Sequence, residues 1–188
     1  WRLAVDGACS AYEHLIAKTI FSAGATWPGM MVWDDMRCVD YLAGRQDVDA
    51  NRLGCIGLSI GGLRTAHLAA AEPRLKVACV AGWMTQFRTQ LHHHLRHHTW
   101  MAYVPGLYES MDLPDAAALI APGALLVQQC ARDFLFPVAG MRGAVEQLTS
   151  IFKKAGVPER FCGAFYDEPH SFGPRMQEEA FDWIEKWI

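Results

Sequence analysis

The sequence predicts an α/β architecture, a mostly parallel sheet with helices on both faces, and three observations carry that expectation. Short apolar runs at Arg52–Leu58, Leu75–Ala81, Gly123–Cys130 and Arg160–Tyr166 alternate with segments of helical spacing. Strands alternating with helices imply parallel pairing through crossovers. The run LKVACVA at Leu75–Ala81 is apolar at nearly every position, as in a strand covered on both sides. Finally, Gly57-x-Ser59-x-Gly61 ends the first apolar run and leads straight into a helix-compatible stretch, Leu63–Ala71.

Taken in order, Ala8–Ser22 places Ala11, Leu15, Ile16, Thr19 and Ile20 at helical spacing. Before it, Arg2–Val5 offers at most one short strand. Gly24–Gly29, with Pro28, reads as a loop. Met31–Ala43 is a second helix, with Val32, Met36, Val39, Tyr41 and Leu42 forming an apolar stripe that Gly44 ends. A polar turn at Gln46–Asn51 feeds the first major strand. After Leu75–Ala81 the chain loses its period from about residue 83 to 114. That stretch holds Trp83, Phe87, Trp100, Tyr103 and Tyr108, and reads as an insertion packed over the sheet ends. A short helix at Leu113–Ile120, a long one at Pro137–Ala155 and a last one at Arg175–Ile188 complete the pattern.

Composition narrows the functional classes. The 188 residues are 52% hydrophobic and 20% charged, enough to bury the core of one domain. A net charge of −3 without a basic block argues against nucleic acid or an anionic membrane as partner. The apolar run Ala116–Val127 is interrupted by Pro122-Gly123 and is too short to span a bilayer. Six scattered cysteines form no C-x-x-C pair. Reduced thiols are expected rather than disulfides or zinc, and this favours a reducing compartment. The first residue is Trp1 rather than Met, so the chain is expected to be N-terminally incomplete, and the lack of a leader says nothing about location.

The strand ends carry the chemistry, as they do in doubly wound sheets. Ser59 stands in the strand–turn–helix setting of a nucleophile elbow, where flanking glycines relieve collisions around a strained backbone. The amide of Ile60, opening the helix, is placed to donate to an oxyanion. The strand at Gly123–Cys130 runs into Asp133, and the strand at Arg160–Tyr166 runs into His170. A serine hydroxyl needs a base, an imidazole titrating near 6.5 suits that task, and a carboxylate holds its tautomer. Asp167 is a rival acid but lies too near His170 in sequence to come from its own strand end. His67 reads as a packing or surface residue of the elbow helix.

Two further features are weighed and set aside. His93/His97 and His94/His98, within His92–His98, have a metal-chelating i, i+4 spacing, but no acidic residue lies between them. A solvated or pocket-rim histidine run is expected there, with no metal and no cofactor. Gly61-Gly62 lacks the spacing of a dinucleotide site.

The stretches Trp33-Asp34-Asp35, Asp40-Tyr41-Leu42, Val48-Asp49 and Arg52 to Ser59, with the loops Ala131–Pro137 and Pro169–Phe172, resemble the α/β-hydrolase superfamily. Within it they are most similar to the dienelactone-hydrolase-like and acetyl-xylan-esterase-like branch. The likeness runs from about Gly29 to Ile188. It implies a cofactor-free serine esterase acting through an acyl-enzyme on acetyl or other short acyl esters, including those of carbohydrates. Ser59 stands where dienelactone hydrolase proper has a cysteine. One departure concerns the front of the fold, where such proteins place several strands and a loop supplying a second oxyanion donor. No His-Gly-Gly loop precedes Ser59, so only the Ile60 donor is legible. An oligopeptidase-type serine peptidase, a catalytically silent module of the same fold, and lyase or thioesterase chemistry remain alternatives.

Overall fold

In the computed structural model, which describes residues 2–91 and 93–188, two helices precede the sheet, α1 (Arg2–Ser22) and α2 (Trp27–Ala43). Strands β1 (Leu53–Leu58), β2 (Leu75–Ala81), β3 (Ala124–Cys130) and β4 (Phe161–Tyr166) form one sheet in the order β1-β2-β3-β4. Every neighbouring pair is parallel. Helix α3 (Ile60–Ala71) joins β1 to β2. Between β2 and β3 lie three single 3-10 turns, the short α4 (Leu107–Ser110) and α5 (Leu113–Ala118). Helix α6 (Val138–Lys154) joins β3 to β4, and α7 (Pro174–Trp187) follows.

Local chemistry accounts for the helix boundaries. The Thr26 hydroxyl accepts the Gly29 amide at 3.1 Å and caps α2, with Pro28 in its first turn, where no amide is missed. Asp112 and Asp115 form a reciprocal capping box that starts α5. In α6, Met141, Ala144, Leu148 and Phe152 are buried at helical spacing, and two lysines occupy the last turn.

Side chains alternating along the strands divide the core into two layers. On one side Ala78, Val80, Leu125 and Val127 pack with Leu63 and Ala66 of α3, Ala117 of α5 and Leu148 and Phe152 of α6. On the other, Cys79 and Leu126 pack against Ala180 of α7. Helix α2 lies along α3, where Val39 meets Leu68 beside Leu53 and Leu75. Ion pairs tie the same elements together: Arg64 of α3 donates to Asp35 of α2, and Arg74 bridges Glu72 and Asp40.

Two expectations need correction. Residues Arg2–Val5 are not a strand but the first turns of α1. A lone strand without a partner leaves its amides unpaired, whereas a helix satisfies them within itself. Nor do Trp27–Gly29 belong to a loop: they are the first turn of α2, which the Thr26 cap starts just ahead of Pro28. Cys79 and Cys130 are fully buried, and burial pushes the thiols of Cys55 and Cys79 up to about 12, so they act as apolar side chains. No helix among the described residues is long and apolar enough to cross a membrane.

Candidate active site

The strand register brings the three candidate residues to one end of the sheet. Leu58 is level with Ala81, Ala81 with Gln128 and Cys130 with Tyr166. Just past those ends, the Ser59 amide donates to Ala81 at 2.9 Å, Gly82 to Gln128 at 2.8 Å, and Ala131 to Tyr166 at 2.8 Å. Ser59, the Asp133 loop and the His170 loop therefore leave neighbouring strands in the same direction.

Ser59 has φ 58° and ψ −124°, the one positive φ at a non-glycine among the described residues. Such a conformation costs on the order of 1–3 kcal/mol and persists only where its surroundings enforce it. A Cβ at Gly57 would lie 2.2 Å from the Gly61 carbonyl oxygen, and one at Gly62 would lie 2.9 Å from that of Ala81. At Gly61 a Cβ meets nothing within 4 Å. The tight glycines are thus Gly57 and Gly62, whereas the sequence pattern singles out Gly57 and Gly61. Gly57→Ala is accordingly expected to lower stability by about 1–3 kcal/mol or more by forcing the elbow apart, and Gly61→Ala to leave it nearly unchanged. Urea unfolding of the two variants checks the contrast. Ile60 is the first residue of α3, where amides have no partner within the helix, so its N–H is available to an anion.

Asp133 and His170 meet directly, with Nδ1 of the imidazole 2.5 Å from Oδ2 of the carboxylate. Asp133 is buried, and its Oδ1 accepts the Leu135 amide at 2.9 Å, the turn that fixes the carboxylate's rotation. With Nδ1 so engaged, His170 keeps Nε2 for another partner. Gly82 makes room for this ring: φ is +59° there, and an added Cβ would lie 3.2 Å from His170 Cε1 and 3.3 Å from Leu58 Cδ1. The imidazole and the Leu58 side chain thus both border Gly82. Asp167, the rival acid, is exposed and instead pairs with Arg132 at 3.0 Å. Together with the Arg132 amide on Glu168 at 3.0 Å, that pair clasps the acid loop to the histidine loop.

The histidine run sits over the Asp133 loop and is not an α-helix. His94 precedes a single 3-10 turn, Leu95–His97, so the i, i+4 helical geometry is not formed. His92 lies outside the described residues. No cluster of three metal-binding side chains occurs among the described residues. His94 Nδ1 and His98 Nε2 both point at the Leu135 carbonyl, at 3.2 and 3.1 Å. His98 also walls an open cavity of about 500 Å³ with Phe87, Leu95, Trp100 and Tyr103. Sequence reasoning missed these contacts, because their acceptor is a backbone carbonyl some forty residues away.

Burial holds the imidazoles of His67, on α3, and His98 below their ordinary values. The unfolded chain then takes up protons near pH ~6.5 that the folded chain refuses. Stability from these two groups is complete above about that pH and is lost as pH falls through the folded-state values. The urea midpoint is expected to drop between pH 7 and pH 5, and to drop less in His67→Gln; an equal drop would remove His67 from this account.

The sequence pattern of the prolyl oligopeptidase family matches residues 23–188. A Bacillus subtilis (strain 168) protein named as a hydrolase, YtaP, is 30% identical over 183 residues, which cover 94% of this chain and 59% of YtaP. Among solved structures, a family 15 carbohydrate esterase, the glucuronoyl esterase of Caldicellulosiruptor kristjansonii, is similar with a TM-score of 0.67 at 16% identity. That match covers 82% of this chain and 48% of the esterase. A Bacteroides fragilis NCTC 9343 protein named as an acetyl xylan esterase is similar with a TM-score of 0.66 at 12% identity, covering 82% of this chain and 40% of its own. At such identities these two structures establish the fold alone. The chain thus spans about two fifths to three fifths of the length of these relatives. With the family pattern extending over residues 23–188, the chain belongs to the prolyl oligopeptidase family, within the α/β-hydrolase superfamily.

Proposed function

We propose that the protein is a serine hydrolase that cleaves carboxylic esters of short acyl groups, including acyl esters of carbohydrates, through an acyl-enzyme. The observation that carries this reading is the 2.5 Å contact between Asp133 and His170 at the end of the sheet where the elbow presents Ser59. Ser59 Oγ attacks the ester carbonyl carbon as His170 Nε2 takes its proton. Asp133 holds the ring through Nδ1 and stabilises the imidazolium. The negative oxygen of the tetrahedral intermediate receives the Ile60 amide. His170 then returns the proton to the departing alkoxide, which leaves as the alcohol. Water, deprotonated by the same imidazole, releases the acid and restores Ser59.

The segment from residue 83 to 114 serves as the cover of this site, and the cavity beside it, lined by Phe87, Trp100 and Tyr103 together with Glu13 and Arg96, suits a sugar-ring portion of the substrate. Ester cleavage is favoured by the fold shared with the glucuronoyl and acetyl xylan esterases. The family match favours a second reading, cleavage of peptide bonds by the same three residues. Amide cleavage demands more of the proton return, since an amine anion cannot leave unprotonated.

Fluorophosphonate labelling tests the site, and substrate comparison tests the reading. Wild type is expected to label and Ser59→Ala and His170→Ala to stay blank; a folded wild type that does not label would sink the proposal. Hydrolysis of p-nitrophenyl acetate well above that of peptide p-nitroanilides selects the esterase, and the reverse order selects the peptidase.

A further inference from the structure

The Leu135 peptide faces two ways. Its N–H donates to Asp133 Oδ1 at 2.9 Å, and its carbonyl meets His98 Nε2 at 3.1 Å and His94 Nδ1 at 3.2 Å. A carbonyl oxygen has two lone pairs and can receive both rings. Each contact requires an N–H on the ring, so His98 carries a proton on Nε2 and His94 one on Nδ1. His98 is also held as a ring: it stacks on buried Phe136 at 4.8 Å and meets the edge of Trp83 at 5.1 Å. Gln90, 3.3 Å from the same nitrogen, fits an amide turned with its oxygen toward that proton.

The carboxylate of Asp133 has only two oxygens to commit. One is tied to the Leu135 amide and the other reaches His170. If the Leu135 peptide rotates, the first tie is lost and the carboxylate turns with it. The two histidines are what resist that rotation, and they come from the segment between β2 and β3, not from the loops that carry the acid and the base.

We infer that His98, assisted by His94, is a positioning residue of the hydrolytic centre, holding the Leu135 peptide so that Asp133 directs Oδ2 at His170. This rests on the Ser59–His170–Asp133 reading. It makes the segment from residue 83 to 114 part of the machinery of turnover, since that segment supplies both imidazoles to the acid loop.

His98→Phe keeps the aromatic packing on Phe136 and Trp83 and removes the donor, while His98→Gln supplies an N–H again. With p-nitrophenyl acetate, His98→Phe is expected to lower kcat roughly tenfold at unchanged KM, and His98→Gln to recover most of that loss. In an Asp133→Asn background His98→Phe is expected to cost little more, because its effect passes through Asp133. A wild-type kcat in His98→Phe, an equal loss in His98→Gln, or a full additional loss in the Asp133→Asn background would each overturn the inference. A measurement on the unmutated protein stands beside these. Nitrogen-15 shifts of the His98 ring should report the Nε2–H tautomer at neutral pH, and the Nδ1–H tautomer would overturn the proposal without any variant. Failure of the underlying reading registers separately, as absent fluorophosphonate labelling of wild type.

Discussion

Ser59→Ala is expected to reduce kcat for p-nitrophenyl acetate by about 10⁴–10⁶, with His170→Ala in the same range and the double variant little worse than either. The non-additivity is the informative part. Nucleophile and base act as one unit, so once either is gone the other has nothing left to do. Folding should survive in both variants. Ser59 is strained in the native state, and alanine there retains the strain but takes no hydrogen bond away from the core. Independent, multiplying losses in the double variant would mean that the two side chains do not share a step. Residual hydrolysis above the water rate is expected, since the Ile60 amide and the site's shape remain.

Asp133→Asn is expected to lower kcat by roughly 10⁴ while leaving the urea midpoint close to wild type. The asparagine oxygen can still accept the Leu135 amide, so the turn persists. The other arm of the side chain becomes an NH₂ group facing His170 Nδ1. Two donors cannot share a hydrogen bond, so the imidazole must give up its Nδ1 proton and carry the remaining one on Nε2. In that tautomer it cannot take the serine's proton. Asp133→Ala would empty a buried position as well and confound the result; asparagine isolates the tautomer. A variant retaining more than a tenth of wild-type kcat would remove Asp133 from the mechanism.

The core of this architecture is written locally, and that is why it was readable. Leu75–Ala81 coincides residue for residue with β2, since a strand buried on both faces is apolar at nearly every position, here all but Lys76. The other strands lie within a residue of the expected bounds, and α6 is bracketed by Pro137 and Gly156. The candidate site was legible for the same reason, because each of its residues follows a readable strand. What was not legible depends on distance in the chain. Whether Arg2–Val5 forms a strand depends on whether a partner strand stands beside it, which four residues cannot say. Gly82 looks like an ordinary glycine after a strand, yet it is the floor on which His170 lies. The histidine run advertises metal by its spacing, but spacing of four means chelation only on a helix, and this segment turns too tightly for one.

The order β1-β2-β3-β4 in space is also the order in which a ribosome makes the strands. Each new strand can dock on the edge of the sheet already present, with no earlier strand displaced to admit it. Among these four strands, the one ahead of Ser59 is therefore delivered first, the one ahead of Asp133 third and the one ahead of His170 fourth. During synthesis the elbow's hydroxyl is left as chemically dull as any surface serine. In the proposed triad, reactivity would arise only when β4 settles against β3 and brings His170 to Gly82. On the proposed reading, a chain assembled in this order holds no complete triad until β4 is in place.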